Sequence, residues 1–148
     1  MSDMDDIVDP LSLENQVCFA LAVASRSVIA LYRPVLEPMG LTHPQYLVML
    51  ALWERAPLSV KDLAGLLQLE PATLSPLLKR LEAAGLVERR RGTADERSLA
   101  VTLTDDGRAL RAQAEKIPAA IVERLGMDVA ELQDLHKALT RVIAAATR

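Results

Sequence analysis

Aromatic residues and cysteine are scarce in this sequence. Phe, Trp and Tyr together make up 3% of the 148 residues, so aliphatic side chains and alanine have to fill the core. The single cysteine, Cys18, excludes a disulfide within the chain and argues against a metal cluster. There is also no Gly-rich phosphate loop and no acid–base pair at a characteristic spacing. We therefore expect a protein that is not an enzyme and that needs neither a cofactor nor a metal.

Long uninterrupted apolar runs are missing as well. The run Tyr46–Trp53 is bounded by Gln45 and Glu54 and is much shorter than the ~20 residues that span a bilayer. The first ten residues, MSDMDDIVDP, are acidic and lack the basic and apolar segments of a signal peptide. A cytoplasmic protein without a membrane partner is expected.

Acidic side chains outnumber basic ones in the whole chain, but the basic side chains are unevenly distributed. The formal net charge is −3. Between Lys79 and Arg97 there are six basic and four acidic side chains, whereas the first fourteen residues contain five acidic side chains and no basic one. Because the local field steers a phosphate backbone, an acidic chain with a basic segment is compatible with nucleic-acid binding.

The stretch from Leu58 to Thr104 organises the chain. Apolar spacing predicts a helix over Val60–Leu67, a break at Gln68–Pro71 and a second amphipathic helix that ends before Gly85. Alternating segments follow at 86–91 and 99–104, separated by the polar loop GTADERS, and they predict a β-hairpin. Helix, turn, helix and hairpin together predict a winged helix–turn–helix, which places one helix in the DNA major groove.

Pro76 leaves two possible starts for the second helix. A start at Pro71 puts Pro76 inside the helix, where it removes a hydrogen bond and bends the axis. A cap at Ser75 would instead make Pro76 the first residue of a shorter helix. We favour the start at Pro71.

Helices are also predicted on both sides of this stretch. The first runs from a cap at Ser12 to about Leu36, and the next is capped by Thr42 with Pro44 just inside it. Another follows a cap at Thr104 and is kinked at Pro118, and the last begins with the capping box Asp128–Glu131. The first of these helices and the last two have more apolar surface than one chain can cover, which predicts a homodimer.

The predicted fold class is therefore mostly α, with a winged helix–turn–helix, a small β-hairpin wing and flanking dimerisation helices. One domain covers 1–148, which fits the length of the chain. Within it we assign 1–10 to a flexible arm, 41–103 to the winged helix–turn–helix, and about 87–103 to the wing. Segments 11–40 and 104–148 are assigned to dimerisation.

The recognition segment ATLSPLLKRLEAAGLVERRR and the wing segment DERSLAVTLTDDG resemble those of the MarR family of bacterial transcription regulators. Within that family, LENQVCFALAVASR, LYRPVLEP and GLTHPQYLVMLALWE resemble the OhrR branch, whose members sense organic hydroperoxides. The resemblance covers nearly the whole chain. It implies a dimeric repressor whose two recognition helices bind successive major grooves of a double-stranded, near-palindromic operator.

The resemblance also implies the DNA-binding residues. Those on the groove face of the recognition helix are Ala72, Thr73, Ser75 and Lys79, and those in or near the wing are Arg91, Asp95 and Arg97. Asp95 would position Arg97 through an ion pair, so that Arg97 enters the minor groove. Small hydroxyl residues at the start of a recognition helix reach bases and phosphates, and arginine is favoured in narrow minor grooves.

For the sensor, the resemblance implies Cys18 and the matching Tyr32, with Ala22 and His43 where family members commonly have tyrosine. Fourteen residues of straight helix span ~21 Å, so Cys18 and Tyr32 cannot touch within one chain, but an antiparallel pairing of two first helices would let them meet across the dimer. We expect the His43 imidazolium to lower the thiol pKa, with reactivity that falls as pH rises. The alternative is that His43 only occupies a helix start.

Oxidation by an organic hydroperoxide should give a sulfenic acid, which a small thiol caps or which is over-oxidised. The leading interpretation is thus a repressor released from its operator when Cys18 is oxidised. The alternative within the same fold is a regulator controlled by a bound small aromatic ligand, with Cys18 structural. A thiol peroxidase, or a winged helix that binds only proteins, is less compatible with the motifs.

Overall fold

The computed structural model describes residues 9–13, 16–91 and 99–147. Its elements are α1 (Val17–Leu36), a short 3-10 helix (Glu37–Met39), α2 (His43–Arg55), β1 (Leu58–Ser59), α3 (Val60–Leu67), α4 (Pro71–Ala83), β2 (Val87–Arg91), β3 (Leu99–Leu103), α5 (Asp105–Ala114), α6 (Ile117–Leu125) and α7 (Val129–Ala146). The predicted mostly α fold with a winged helix–turn–helix is confirmed.

The helix–turn–helix consists of α3 and α4, and local signals explain its bounds. The Ser59 hydroxyl caps α3 by accepting a hydrogen bond from the backbone N–H of Asp62. Gln68 ends α3 in the left-handed conformation, at φ +57°. The favoured start of α4 at Pro71 is confirmed, and Pro76 lies inside the helix. Gly85, at φ +77°, closes the helix as expected.

The wing is part of a three-stranded antiparallel sheet in the order β1-β3-β2. The predicted hairpin is confirmed, with Val87 opposite Leu103 and Arg91 opposite Leu99. The third strand, β1, was not predicted, because its two residues are too few to show an alternating pattern. Its pairing with β3 fixes the wing to the residues just before α3.

One hydrophobic core holds the winged helix–turn–helix together. Its fully buried side chains come from the end of α1, from α2, α3 and α4, from β3 and from α6: Leu36, Val48, Met49, Leu52, Leu63, Leu74, Leu78, Leu81, Val101 and Ile117. The recognition helix α4 contributes one leucine-rich face to this core, so the opposite face is turned outward.

The start of α1 differs from the prediction. The helix begins at Val17, with Gln16 rather than Ser12 at the cap position. The backbone N–H of Ser12 donates to the carbonyl of Asp9, so Ser12 belongs to a turn around Pro10. The Gln16 amide donates to the carbonyls of Pro10 and Ser12 and holds this turn against the helix.

The helix predicted from Thr104 through Leu125 is instead two helices. Thr104 caps α5 as expected, by accepting from the N–H of Gly107. The chain then breaks at Glu115–Lys116, and Pro118 lies in the first turn of α6. A proline is favoured there, because its missing N–H would have no partner in a first turn. The capping box of Asp128 and Glu131 at the start of α7 is confirmed.

Two helices expose much of their apolar surface. In α1 the buried residue is Leu36, and none of the described residues of α7 is buried. Their exposed large apolar side chains are Val17, Phe19, Val23, Ile29, Val129, Leu135, Val142 and Ile143. By length and composition alone, the segment Val17–Met39 is also apolar enough to cross a membrane. A contiguous apolar stripe on a helix is equally typical of a protein interface.

Candidate nucleic-acid interface and redox site

The outward face of α4 contains the residues assigned to the groove. Leu74, Leu77, Leu78 and Leu81 are buried, and they fix the rotation of the helix about its axis. Ala72, Thr73 and Lys79 are consequently exposed, and Ser75 is half-buried beside them. The sequence assignment omitted Pro76 and Arg80, which are exposed on the same face. Helical spacing could have revealed both, because Pro76 lies three or four residues from Ala72, Thr73 and Lys79, and Arg80 lies four residues after Pro76.

The predicted wing residues are described only in part. Arg91 is the last residue of β2 and is exposed. Asp95 and Arg97 lie outside the residues that the structure describes, so their ion pair stays a prediction. The exposed position of Arg91 therefore supports a basic surface at the start of the predicted wing.

The two arginines before Arg91 form ion pairs. The Nε atom of Arg89 lies 2.6 Å from Oε1 of Glu82, which is in the last turn of α4. Arg90 pairs with Glu88 on the same strand, and Arg90 is largely exposed. Arg89 thus joins the recognition helix to the wing.

Three aromatic rings meet where α1 approaches the start of α2. The ring centroids of Tyr32 and His43 are 4.9 Å apart in an edge-to-face arrangement. Tyr46 completes the group, at 5.8 Å from Tyr32 and 6.4 Å from His43. The capping box of Thr42 and Gln45 fixes the start of α2 and hence the position of His43. We call Tyr32, His43 and Tyr46 the aromatic cluster.

The side chain of Tyr46 is buried. Its contact with the two predicted sensor residues was not foreseen. The signal was present, because residues three apart on a helix share a face, as His43 and Tyr46 do. What the sequence could not supply was the packing of α1 that brings Tyr32 to that face.

Burial sets the protonation of the aromatic cluster. It raises the pKa of the Tyr32 hydroxyl, and it raises the pKa of Tyr46 together with a smaller contribution from the charge of Tyr32. It lowers the pKa of His43 below the ordinary value of 6.5. All three side chains are therefore mainly neutral at neutral pH. Burial thus disfavours the expected imidazolium at His43, and the neutral ring offers a single N–H donor.

Cys18 lies far from the aromatic cluster within one chain. It is the second residue of α1 and is exposed. Tyr32 is fourteen residues further along the same helix, which corresponds to ~21 Å. The Cys18 thiol therefore does not reach Tyr32 of its own subunit, in agreement with the sequence prediction.

Two neighbouring grooves lie between α2 and α5. One, of about 310 Å³, is lined by Tyr46, Leu50, Trp53, Glu54, Arg111, Ala114, Glu115 and Pro118. The other, of about 540 Å³, extends from Trp53 to the wing and is lined by Leu52, Trp53, Glu54, Ala56, Pro57, Thr102, Leu103, Arg108 and Arg111. Each groove combines apolar side chains with arginine, which suits a ligand that has an apolar body and an acidic group.

The chain is similar to known proteins over most of its length. The model of the MarR family matches residues 41–99. The chain is 41% identical over 136 residues to the organic hydroperoxide resistance transcriptional regulator of Bacillus subtilis (strain 168), and the match covers 92% of each chain.

Solved structures of DNA complexes are also similar. Reduced AbfR bound to DNA, a protein of Staphylococcus epidermidis, matches with a TM-score of 0.74 and 34% identity over 92% of this chain and 95% of that one. The transcriptional repressor CouR of Rhodococcus jostii RHA1, bound to a 23-mer DNA duplex, matches with a TM-score of 0.77 and 29% identity. That match covers 95% of this chain and 99% of CouR.

Proposed function

Because the chain belongs to the MarR family of transcriptional regulators, we propose that it is a dimeric repressor that leaves its operator when an organic hydroperoxide oxidises Cys18. The observation that carries the redox part is the similarity to the Bacillus subtilis regulator over 92% of the chain, with an exposed cysteine near the start of α1. AbfR adds support for redox sensing, since it has been solved reduced and overoxidised, both bound to DNA, and in a disulfide form.

DNA binding follows from the outward face of α4. Thr73 and Lys79 offer a hydroxyl and an ammonium group to bases and phosphates, and Ala72 allows close approach. Arg91 begins a basic wing beside this helix, where the proposed contact of Arg97 with the minor groove would lie. Two such helices in a dimer would bind half-sites about one helical turn apart.

The dimer would cover the exposed apolar faces of α1 and α7. An antiparallel pairing of two α1 helices about a two-fold axis near Ser25 would place Cys18 of one subunit opposite Tyr32 of the other. Ser25 is midway between them, and steps of seven residues keep all three on one face of the helix. The sensor would then combine the cysteine of one subunit with the aromatic cluster of the other.

Oxidation would proceed at the thiolate sulfur. The sulfur attacks the distal peroxide oxygen, the O–O bond breaks, and the alkoxide takes a proton and leaves as an alcohol. The product is a sulfenic acid, which a small thiol converts to a mixed disulfide and water. Neutral donors in the aromatic cluster would hydrogen-bond the thiolate, and such bonds favour the charged form.

Release from DNA requires that the two oxidation states prefer different dimer geometries. Polar bulk on Cys18 would separate α1 from the second subunit and move the aromatic cluster at the start of α2. The spacing between the two α4 helices would change, and simultaneous binding to two grooves would be lost.

The proposal is tested by fluorescence anisotropy on genomic fragments that include the upstream region of the gene. Wild type and Cys18→Ser are compared, each with and without cumene hydroperoxide. We expect both to bind the operator when reduced, and only wild type to be released by the peroxide. Tight binding by both proteins in the presence of peroxide would refute the redox mechanism.

A second candidate is a regulator released by a small aromatic acid, with Cys18 structural. The observation that favours it is the pair of grooves around Trp53, where arginine side chains adjoin apolar ones. Trp53 is the only tryptophan, so its fluorescence reports ligand binding at this position. Quenching by an aromatic carboxylate, together with release from DNA that Cys18→Ser does not alter, would favour this candidate.

A further inference from the structure

The only tryptophan of the chain connects α2 to the beginning of α5. Its indole Nε1–H donates to the backbone carbonyl of Gly107 at 2.9 Å. The tryptophan is half-buried, and Gly107 is buried. A half-buried hydrogen bond between distant parts of the chain is a specific constraint on their relative position, because few other geometries satisfy both groups.

Gly107 itself lies in a tightly packed junction. Its N–H donates to the Thr104 hydroxyl at 3.0 Å, and that hydroxyl donates to the carbonyl of Gly85 at 2.6 Å. The N–H of Thr104 donates to the carbonyl of Leu86 at 3.1 Å. A Cβ atom on Gly107 would lie only 2.1 Å from the same Leu86 oxygen. We call Gly85, Leu86, Thr104 and Gly107 the Gly107 joint.

The Gly107 joint connects three segments of the chain. Gly85 and Leu86 directly follow the recognition helix, Thr104 follows β3, and Gly107 lies in the first turn of α5. The core that α2 shares with the recognition helix packs the two helices together, and the Gly107 joint adds a directional link between them. The Trp53 indole is the hydrogen-bond donor of that link on the side of α2.

The other end of α2 lies in the aromatic cluster. His43 is its first residue, and Trp53 is ten residues later, ~15 Å along the axis. A helix of this length moves as a rigid body, so a displacement at His43 is transmitted to Trp53. The same helix thus contacts the proposed sensor at one end and the unit that carries the recognition helix at the other.

We infer that Trp53 is a positioning residue for operator binding, which sets the spacing of the two recognition helices through its hydrogen bond to Gly107. The inference rests on the proposed function, because it assumes that a dimer binds two half-sites. Trp53 acts at a distance from DNA, since its indole N–H is engaged inside the protein. Loss of the bond should relax the preferred half-site spacing and leave the individual contacts of α4 intact.

The test removes the donor and keeps the shape of the side chain. Because the chain has one tryptophan, benzothienylalanine at position 53 replaces the indole N–H with sulfur at a single site. The matched control is 5-fluorotryptophan, which retains the N–H. Affinities are measured for the operator and for versions in which the half-site spacing is changed by one base pair.

We expect benzothienylalanine to reduce the preference for natural spacing about fivefold, since a hydrogen bond contributes about 1 kcal/mol and each 1.4 kcal/mol is tenfold. The control should behave as wild type. A purely structural role would lower affinity equally at every spacing. An unchanged spacing preference in the benzothienylalanine protein would therefore overturn the inference.

Amide hydrogen exchange in the free protein provides a second measurement. We expect benzothienylalanine to accelerate exchange at Thr104 and Gly107 and to leave α3 unaffected. Unchanged protection at both amides would show that Trp53 does not hold the joint and would also overturn the inference. A different result is that the unmodified protein itself does not bind DNA, or binds it equally at every half-site spacing. That outcome would refute the proposed function, and the inference with it.

Discussion

Arg89 in the wing strand β2 and Glu82 in the last turn of α4 form a half-buried ion pair, with 2.6 Å between Nε and Oε1. The exposed fraction is 20% for the Arg89 side chain and 35% for Glu82. Because both groups are partly shielded from solvent, the pair contributes more than an exposed one. It also ties the recognition helix to the wing.

Arg89→Ala should lower the free energy of unfolding by about 1–2 kcal/mol, because the Glu82 carboxylate is left without its charged partner. The matched control is Arg90→Ala, on the adjacent residue, whose ion pair with Glu88 is largely exposed. That change should cost less than about 0.5 kcal/mol. Urea denaturation measures the free energy of unfolding of both variants. Equal losses of stability would show that the half-buried pair contributes no more than the exposed one.

Gly107→Ala should be strongly destabilising, because the new Cβ would lie 2.1 Å from the Leu86 carbonyl oxygen. Relief requires backbone movement, with a cost of about 3 kcal/mol. Gly65→Ala is the contrasting variant, since Gly65 is in α3 with open space around its Cβ position. It should stabilise by up to about 1 kcal/mol. Thermal unfolding of the two variants should shift in opposite directions, and a neutral Gly107→Ala would show that the joint is loose.

Ser25→Cys in a Cys18→Ser background should form a disulfide between subunits, since the proposed two-fold axis passes near position 25. Ser27→Cys in the same background is the control, because two residues rotate the side chain by about 200° to the opposite face of α1. Mild oxidation followed by non-reducing electrophoresis should give a covalent dimer for position 25 only. A covalent dimer at position 27 but not at 25 would exclude the antiparallel pairing.

Stability should fall with acidification partly because of His43. Burial lowers its pKa below the ordinary value of 6.5, so below pH 6.5 the unfolded chain binds a proton that the folded chain resists. The contribution of His43 is therefore fully present above pH 6.5 and is lost as pH falls. His43→Gln should show a smaller fall in the urea midpoint between pH 7.5 and 5.5 than wild type. His136→Gln, at an exposed position of α7, is the matched control, and equal falls in the two variants would contradict the assignment to His43.

Local signals in the sequence predicted much of the fold. Thr42, Thr104 and Asp128 cap the predicted helices, and α3 has the predicted bounds. The failures have non-local or competing causes. Ser12 has the chemistry of a cap but takes part in a turn with Asp9, and β1 exists only because β3 lies beside it.

The sequence predicted part of the candidate site. The periodicity of α4 predicted its outward face, whereas the assignment of Cys18, Tyr32 and His43 to a sensor comes from the family resemblance and stays a prediction. Tyr46 and the hydrogen bond from Trp53 to Gly107 depend on packing between residues far apart in sequence. Burial also favours the neutral form of His43 over the expected imidazolium, and burial is a property of the folded chain.

The placement of Cys18 and Tyr32 at opposite ends of α1 has a genetic consequence. In the proposed dimer each sensor is assembled from two polypeptides, so an allele with Cys18→Ser and an allele with Tyr32→Phe damage different halves of it. Co-expressed, they would form mixed dimers in which one sensor carries both lesions and the other carries neither. Two alleles that each give only unresponsive dimers would thus produce a peroxide-responsive mixed dimer together, beside homodimers that stay on the operator.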